Sequence, residues 1–390
     1  MTHNIGNQDL RVYIISNKAK REYLFELRKR YFSSTKAEKQ IMLDEFCKIC
    51  GYNRKYAIRL IKCNQSKCKK SKRSGRPTKY HQPDIITFLK HLWISSNLVC
   101  SKRLKVMIPL WLPFYDQPLT EQTKNLLLSI SPATIDRILS KIKRRYKKLG
   151  LSTTKPGSIL KKHIPIKTNQ WDESRPGFVE VDTVAHCGSS VSGSFIYTVN
   201  LTDIATGWTE SRATWGKGKT GVFEAIKSIE SSLPFKILGF DSDNGNEFLN
   251  AFLLAYLTKR KIQFTRSREY KKNDNAHIEQ KNWTHIRQYL GYHRFDNPLI
   301  LPLLNQLYSN QWALFFNFFL PSTKLIEKRR DGSRVIKKHD QPKTPFDRIL
   351  DSQYIKSSTK KKLIKLYKSL NPFLLQKSIK EQITAILNLI

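Results

Sequence analysis

Acidic residues are scarce in this 390-residue chain. It holds 31 Asp and Glu against 70 Lys and Arg, which gives a formal net charge of +39 at pH 7. A balance this basic says little about the fold, but it favours a polyanionic partner. The two candidate partners are nucleic acid and an anionic membrane surface.

Cysteine and long apolar runs are also scarce. Six cysteines in so long a chain do not make a disulfide framework. The pair Cys47-x-x-Cys50, followed by Cys63 and Cys68, leaves zinc open, but its helical pattern is more typical of buried thiols. The densest apolar run, residues 312–320, is shorter than the ~20 residues that span a membrane. The N-terminus lacks the apolar segment of a signal peptide, so we expect a cytoplasmic protein without membrane contact.

Residues 1–63 contain a helix–turn–helix pattern. Periodicity predicts helices over 37–49 and 54–61, with the turn at Gly51-Tyr-Asn53. The second helix directs three basic side chains outward, where they can contact phosphates and the edges of nucleotide bases in a major groove. These candidate DNA contacts are Arg54, Lys55 and Arg59. An ordinary helical hairpin is the alternative.

A basic linker is predicted over 64–81. Residues 64–80 hold seven Lys or Arg and no acid. The Gly-Arg-Pro sequence within it is similar to a minor-groove AT-hook, although a charge run is more often a solvated linker. The candidate DNA contacts here are Lys72, Arg73 and Arg76.

Residues 82–150 are predicted to form a second helical DNA-binding unit. Ser131-Pro132 begins a helix as cap and first-turn proline. That helix ends in six basic residues, of which Arg144 and Arg145 are candidate DNA contacts.

Three carboxylates mark the segment 172–295. Asp182 lies in an apolar strand pattern, where burying a charge is costly unless it is paired or bound to metal. Asp241 and Asp243 are two residues apart and share one face of a predicted strand, so alternation cannot separate them. Glu279 lies in a predicted helix over 275–290. The predicted order of elements in the segment is βββ-α-β-α-β-α.

These motifs resemble the integrase-type DDE core of bacterial insertion-sequence transposases and retroviral integrases. The matching residues are Asp182, Asp243 and Glu279, with 279 − 243 − 1 = 35 residues between the last two. The sequence Asp-Asn-Gly-x-Glu-Phe begins at Asp243 and favours it over Asp241. The resemblance implies an α/β, ribonuclease-H-like core, a mixed five-stranded sheet with flanking helices. The helix–turn–helix units precede this core, and a helical and basic region, 296–390, follows it.

The resemblance also implies a chemistry. The three carboxylates would hold two Mg²⁺ ions, or Mn²⁺ in their place, for DNA strand cleavage and 3′-hydroxyl transfer. The implied partners are double-stranded DNA (terminal repeats and target) and further copies of the chain at the bacterial nucleoid. A catalytically inactive repressor and a ribonuclease-H-like nuclease without strand transfer are the alternatives.

Further residues near the acids are candidates for supporting roles. Candidates for orienting the carboxylates are His186, Asp241, Asn244 and His277. Candidate DNA contacts beside the acids are Lys271, Lys272 and Lys281. The apolar helix predicted over 298–319 either closes the core or forms a dimer contact, and the basic segment 324–343 is expected to be extended and to contact DNA.

Overall fold

The chain divides into two compact units, Met1–Pro77 and Thr78–Ile390. The structure, a computed structural model, describes residues 16–63, 79–145, 174–242, 247–248, 251–266 and 276–390. Within these ranges no helix combines the length and the apolar character needed to cross a bilayer.

The first unit is a bundle of three helices. They are α1 (Asn17–Tyr31), α2 (Lys36–Cys50) and α3 (Arg54–Lys62). Thr35 and Glu38 form a capping box at the start of α2, and Gly51 ends it at φ 67°. Ala57 and Ile61 of α3 are buried, and its three basic residues Arg54, Lys55 and Arg59 face outward as predicted. Helix α1 was not predicted from the sequence, and it adds Leu27 to the core of this unit.

The second unit begins with four helices. They are α4 (Pro83–Ser95), α5 (Ser101–Trp111), α6 (Glu121–Ser129) and α7 (Pro132–Arg145). Their apolar faces pack into one core with helices from the C-terminal part of the chain. The indole of Trp111 is fully buried and donates to the carbonyl of Phe319 at 3.2 Å.

The centre of the second unit is a mixed five-stranded sheet. Its strands are β1 (Phe178–Ala185), β2 (Ile196–Asp203), β3 (Thr209–Trp215), β4 (Gly239–Ser242) and β5 (Gln263–Arg266). The order is β3-β2-β1-β4-β5, with β1, β2 and β3 antiparallel and β4 and β5 parallel to β1. This arrangement confirms the predicted ribonuclease-H-like fold of integrase catalytic cores. The apolar run 236–240 predicts a short buried strand, but strand β4 begins at Gly239, three residues later.

Helices cover both faces of the sheet. Helices α8 (Lys219–Ser232) and α9 (Ala251–Lys259) pack with Val179 and Val181 on one face. On the other lies α10 (Ala276–Lys281), which continues through a π-helical stretch, Asn282–Arg287, into α11 (Gln288–Leu290). Because neighbours on a strand alternate in direction, Glu180, Asp182 and Val184 face this second layer.

The C-terminal part combines helices with a hairpin. Its elements are α12 (Ile300–Leu307), a π-helical stretch (Tyr308–Trp312), α13 (Ala313–Phe319), β6 (Leu325–Asp331), β7 (Arg334–His339), α14 (Pro345–Asp351), α15 (Ser357–Lys368) and α16 (Pro372–Leu387). Trp312, Phe315 and Phe319 are buried, so of the two alternatives for the apolar segment 298–319, a part in closing the core is the one that this packing supports.

Candidate active site

Asp182 lies in the middle of β1, the central strand of the sheet. Its side chain is half-buried, and its Cα partner on β2 is Asn200. Asp182 Oδ2 accepts a hydrogen bond of 2.7 Å from Asn282 Nδ2, and Oδ1 accepts one of 2.7 Å from the Thr183 N–H. Hydrogen bonds from neutral donors favour a carboxylate in its ionised form. The site therefore holds an oriented carboxylate in the middle of the central strand.

A relay of amides fixes the donor to Asp182. Ser211 Oγ donates to Asn200 Oδ1 at 2.9 Å, and Asn200 Nδ2 donates to Asn282 Oδ1 at 2.9 Å. With its oxygen engaged by Asn200, the amide of Asn282 presents its nitrogen to Asp182. Asn200 and Ser211 are buried, so the relay has little freedom to rearrange. Sequence reasoning passed over Asn282, although its position three residues after Glu279 places both on one side of a helix.

Glu180 anchors the start of the same helix. Its carboxylate is buried and accepts a hydrogen bond of 2.8 Å from the Ile278 N–H. The first N–H groups of a helix lack intrahelical partners and carry partial positive charge, so an acceptor there is stabilising. The helix is thus tied to β1 on both sides of Glu279, by Ile278 and by Asn282. Glu279 itself is exposed on α10.

Asp241 lies two residues out of register with Asp182. Strand pairing places it beside Glu180 on β1 and Thr265 on β5. Its Oδ1 accepts a hydrogen bond of 2.5 Å from Thr265 Oγ1. The pairing of β1 with β4 runs as far as Val181 and Ser242. Asp243 and Asn244, which follow Ser242 in the chain, lie outside the described residues.

Glu247 joins the segment after β4 to the sheet. Its side chain is buried; Oε1 accepts from Thr183 Oγ1 at 3.3 Å and lies 3.6 Å from Lys217 Nζ. Thr183 is next to Asp182 but points to the opposite face. Glu247 therefore fixes its own segment to β1 through Thr183, on the face of the sheet opposite to the Asp182 carboxylate.

The two histidines of the motif lie in different surroundings. His186 is buried, its ring is stacked on Phe295 at 4.7 Å, and its Nε2 is 2.8 Å from Thr198 Oγ1. Burial, followed by the charge of Arg287, lowers the pKa of His186 to about 3. The imidazole is therefore a neutral part of the core at physiological pH. His277 is exposed at the start of α10, two residues before Glu279.

Lys281 is buried, in contrast to the surface role expected for it. Its Nζ lies 3.4 Å from His285 Nε2, and His285 is stacked on Phe316 at 4.1 Å. Burial lowers the pKa of Lys281 to about 7, and the cations Arg103, Arg348 and Lys324 add to this effect. Burial takes Lys281 out of the set of surface contacts to DNA.

The other predicted DNA contacts lie on exposed helices or outside the described residues. Arg54, Lys55 and Arg59 are exposed on α3, where Arg54 pairs with Asp44 and Arg59 stacks on Tyr56 at 5.1 Å. Arg144 is exposed near the end of α7. Lys72, Arg73, Arg76, Lys271 and Lys272 fall outside the described residues, as does the side chain of Arg145.

The donor chemistry at the site suits a hard cation. Asp182 and Glu279 offer carboxylate oxygens, which Mg²⁺ prefers, and the amide contact on Asp182 holds one oxygen in place. Among the described residues no group of three or more His, Cys, Asp or Glu side chains is arranged to hold a metal ion. Asp243, the third carboxylate of the motif, was not part of that set.

Comparison with known proteins places the chain beside one curated relative. No protein-family model matches it. It is 38% identical over 344 residues to a Sinorhizobium fredii protein named "Uncharacterized protein y4rM", an alignment that spans 86% of this chain and 96% of the relative.

Solved structures similar to the chain are retroviral integrases. The magnesium complex of the HTLV-2 integrase catalytic core covers 38% of this chain and 90% of its own, at 16% identity and TM-score 0.28. The BIV integrase catalytic core covers 46% and 96%, at 14% identity and TM-score 0.29. Because these TM-scores are low, the assignment of the fold rests on the strand order and pairing of the chain itself.

Proposed function

We propose that this chain, which belongs to the family of the Sinorhizobium fredii protein y4rM, is the DNA transposase of an insertion sequence. It binds the ends of its element, cleaves a DNA strand and joins the freed 3′-hydroxyl to target DNA. Asp182, Asp243 and Glu279 are the catalytic carboxylates.

The observation that carries the proposal is the double tether between β1 and the helix of Glu279. Asn282 donates to Asp182, and Glu180 accepts from Ile278, so the strand of Asp182 and the helix of Glu279 are fixed to each other although they are far apart in the sequence. A buried carboxylate and a buried amide relay are costly to keep unless each polar group is paired. Their use in aligning one strand with one short helix supports a site at which the carboxylates of Asp182 and Glu279 act together.

The register of β4 supports Asp243 as the second carboxylate. Asp241 stands beside Glu180, and its oxygen is engaged by Thr265. Ser242 stands beside Val181, and the next residue in the chain is a carboxylate of the motif in both cases, Asp182 after Val181 and Asp243 after Ser242. Asp241 then has the role of orienting β5, and Asp243 the role of ligand.

Two Mg²⁺ ions, or Mn²⁺, when bound supply the positive charge that stabilises the entering and departing oxygens of phosphodiester exchange. The three carboxylates hold that charge, and Asn282 keeps the Asp182 carboxylate from rotating. In cleavage, a water oxygen bonds to phosphorus while the P–O3′ bond breaks, which leaves a 3′-hydroxyl and a 5′-phosphate. In transfer, that hydroxyl bonds to a target phosphorus and displaces the 3′-oxygen of the target strand, so each P–O bond broken is replaced by one formed.

The basic charge of the chain supports DNA as the substrate. A net charge of +39 is far larger than one phosphate-binding site requires, and duplex DNA presents a negative charge every ~1.7 Å of its axis. The protein acts on double-stranded element ends and target DNA as a homo-multimer at the bacterial nucleoid, because two ends must be held together for joining.

The test is strand cleavage and joining on labelled DNA that carries the sequences flanking the gene, with Mg²⁺ or Mn²⁺. Asp182→Asn, Asp243→Asn and Glu279→Gln are expected to abolish both reactions and to leave DNA binding intact. Asp241→Asn is the matched control on the same strand and should retain cleavage. Loss of activity in Asp241→Asn alone contradicts the assignment of the second carboxylate. DNA binding without cleavage by the wild-type protein contradicts the proposal and favours the inactive repressor.

A further inference from the structure

The hairpin of β6 and β7 is exposed on all sides. Every residue from Leu325 to Asp331 and from Arg334 to His339 is exposed. A two-stranded ribbon without a buried face is only marginally stable in water. In this protein the ribbon carries six Lys or Arg and two acids between residues 325 and 339. A negatively charged partner would stabilise such an ordered, basic ribbon.

The strand register separates the charges between the two faces of the ribbon. Cα partners share a face, so Lys328 and Lys337 are neighbours, as are Arg330 and Val335. This face, the basic face, holds three cations and no acid. On the opposite face Glu327 stands across from Lys338 and Asp331 from Arg334. The opposite face also carries Arg329, across from Ile336, so it holds three cations and two acids, whereas the basic face holds three cations and no acid.

Like charges directly opposite one another destabilise an antiparallel pair. The pair Lys328 and Lys337 bears this cost in the isolated protein. A polyanion laid along the basic face converts the repulsion into attraction and releases counterions.

The root of the ribbon is held firmly by the core. Asp340 Oδ1 accepts from the Lys324 N–H at 2.6 Å, and its Oδ2 pairs with Arg348 at 2.7 Å. Lys324 Nζ donates to the carbonyl of Ala205, in the turn between β2 and β3. Both strands therefore leave from a fixed point next to the catalytic sheet, and the ribbon projects from it.

From these observations we propose that the ribbon lies in the major groove of duplex DNA with its basic face towards the duplex. The inference rests on the proposed function, which makes duplex DNA the substrate. A major groove of ~12 Å admits a two-stranded ribbon, and a minor groove is only ~6 Å wide. Seven residues of extended chain reach about 23 Å, enough to bring the cations to phosphates on both sides of the groove.

The first experiment compares two triple variants of the full chain that lose the same charge. One is Lys328→Gln, Arg330→Gln, Lys337→Gln on the basic face; its matched control on the opposite face is Arg329→Gln, Arg334→Gln, Lys338→Gln. Affinity for a labelled duplex of mixed sequence is measured against salt concentration, and thermal unfolding checks that both variants are folded.

The basic-face triple is expected to reduce the salt slope of log affinity by about 2–3, since each phosphate contact contributes about 0.9. The control triple should change the slope by less than about 1. Equal losses in the two triples would mean that only net charge matters and would overturn the assignment of the face. No loss in either would overturn the contact with DNA.

Two competitors and a second duplex test the groove. Methyl green, which occupies the major groove, should compete with the ribbon-dependent part of binding, and netropsin, which occupies the minor groove, should not. Duplex RNA has a deep, narrow major groove that side chains do not enter, so the basic-face triple should not weaken binding to it further than the control. An equal loss on RNA and DNA, or competition by netropsin alone, overturns the major-groove assignment.

The outcomes separate this inference from the proposed function. Asp182→Asn should keep the slope of the wild type while it loses cleavage. A normal ribbon effect with no cleavage by any protein refutes the transposase and keeps the ribbon. Cleavage by the wild type without any effect of the basic-face triple supports the transposase and refutes the ribbon contact.

Discussion

Truncation of Asn282 tests whether the amide relay orients the Asp182 carboxylate. Asn282→Ala removes a hydrogen bond of 2.7 Å to a charged group, worth about 1.5–3 kcal/mol. It also leaves the buried amide of Asn200 without its acceptor, which costs about 1–3 kcal/mol. The free energy of unfolding should therefore fall by about 2.5–6 kcal/mol, which lowers the Tm of the second unit by about 4–9 °C.

Two controls bracket this effect. Ser211→Ala breaks only the far end of the relay, a bond between neutral groups, and should cost about 1 kcal/mol. Gln288→Ala removes an exposed amide from the same helical segment and should change the free energy of unfolding by less than about 0.5 kcal/mol. Differential scanning calorimetry on the full chain measures all three.

Activity supplies a second measurement. An unoriented Asp182 should slow strand cleavage by about tenfold to a hundredfold, the equivalent of the lost hydrogen bond, with DNA affinity unchanged. Asn282→Asp should be worse than Asn282→Ala, since it places a second negative charge at hydrogen-bond distance from the first. Equal stability of Asn282→Ala and wild type, or greater activity in Asn282→Asp than in Asn282→Ala, would refute the orienting role.

Two further predictions concern the sheet. Gly177→Ala should lower the free energy of unfolding by about 2–4 kcal/mol in denaturant titrations, because φ is +121° and a Cβ would meet the Lys236 carbonyl oxygen at 2.6 Å. Gly216→Ala, at φ +70° with open space around the Cβ, should cost only about 1 kcal/mol; equal costs would contradict the steric argument. The pKa of His186, lowered to about 3, means that the folded state binds fewer protons than the unfolded state between about pH 3 and pH 6.5. The contribution of the buried, neutral His186 to the free energy of unfolding is thus fully present above pH 6.5. It is lost as pH falls towards 3, by up to about 1.4 kcal/mol per pH unit. His186→Phe should flatten this dependence in thermal unfolding between those pH values, and an unchanged slope would show that another group causes it.

The sequence predicted the sheet and its helices because each element has a clear period and a boundary residue. Asp182 was placed in β1 by the apolar residues around it, and the helix of Glu279 was predicted over nearly its full length. The start of β4 was wrong by three residues, since a short apolar run carries no mark of where pairing begins. The π-helical stretch at Asn282 has no period that the sequence reveals.

The supporting contacts of the site could not be predicted, because they depend on which faces meet. Glu180 shares a strand face with Asp182, and only the packing of α10 against β1 makes it an anchor for Ile278. Lys281 resembles a surface cation in sequence, yet the helix turns it into the core beside His285 and Phe316. The charge separation on the ribbon likewise follows from register, which the basic composition of 324–343 does not specify.

The root of the ribbon has a consequence for how such chains can diversify. Ser322 and Lys343 exchange two backbone hydrogen bonds, of 2.9 and 3.1 Å, so the chain leaves the core and returns to it at one point. Hydrogen-bonded antiparallel partners have Cα atoms about 5.5 Å apart, a gap that a tight turn can close. Residues 325–339 therefore form an exchangeable cassette, with Lys324 and Asp340 kept because their contacts hold the root. Hairpins of other lengths or charges can replace it without removing a contact of α14. If the ribbon contacts DNA as proposed, the DNA preference of a lineage can then change while its central sheet stays constant.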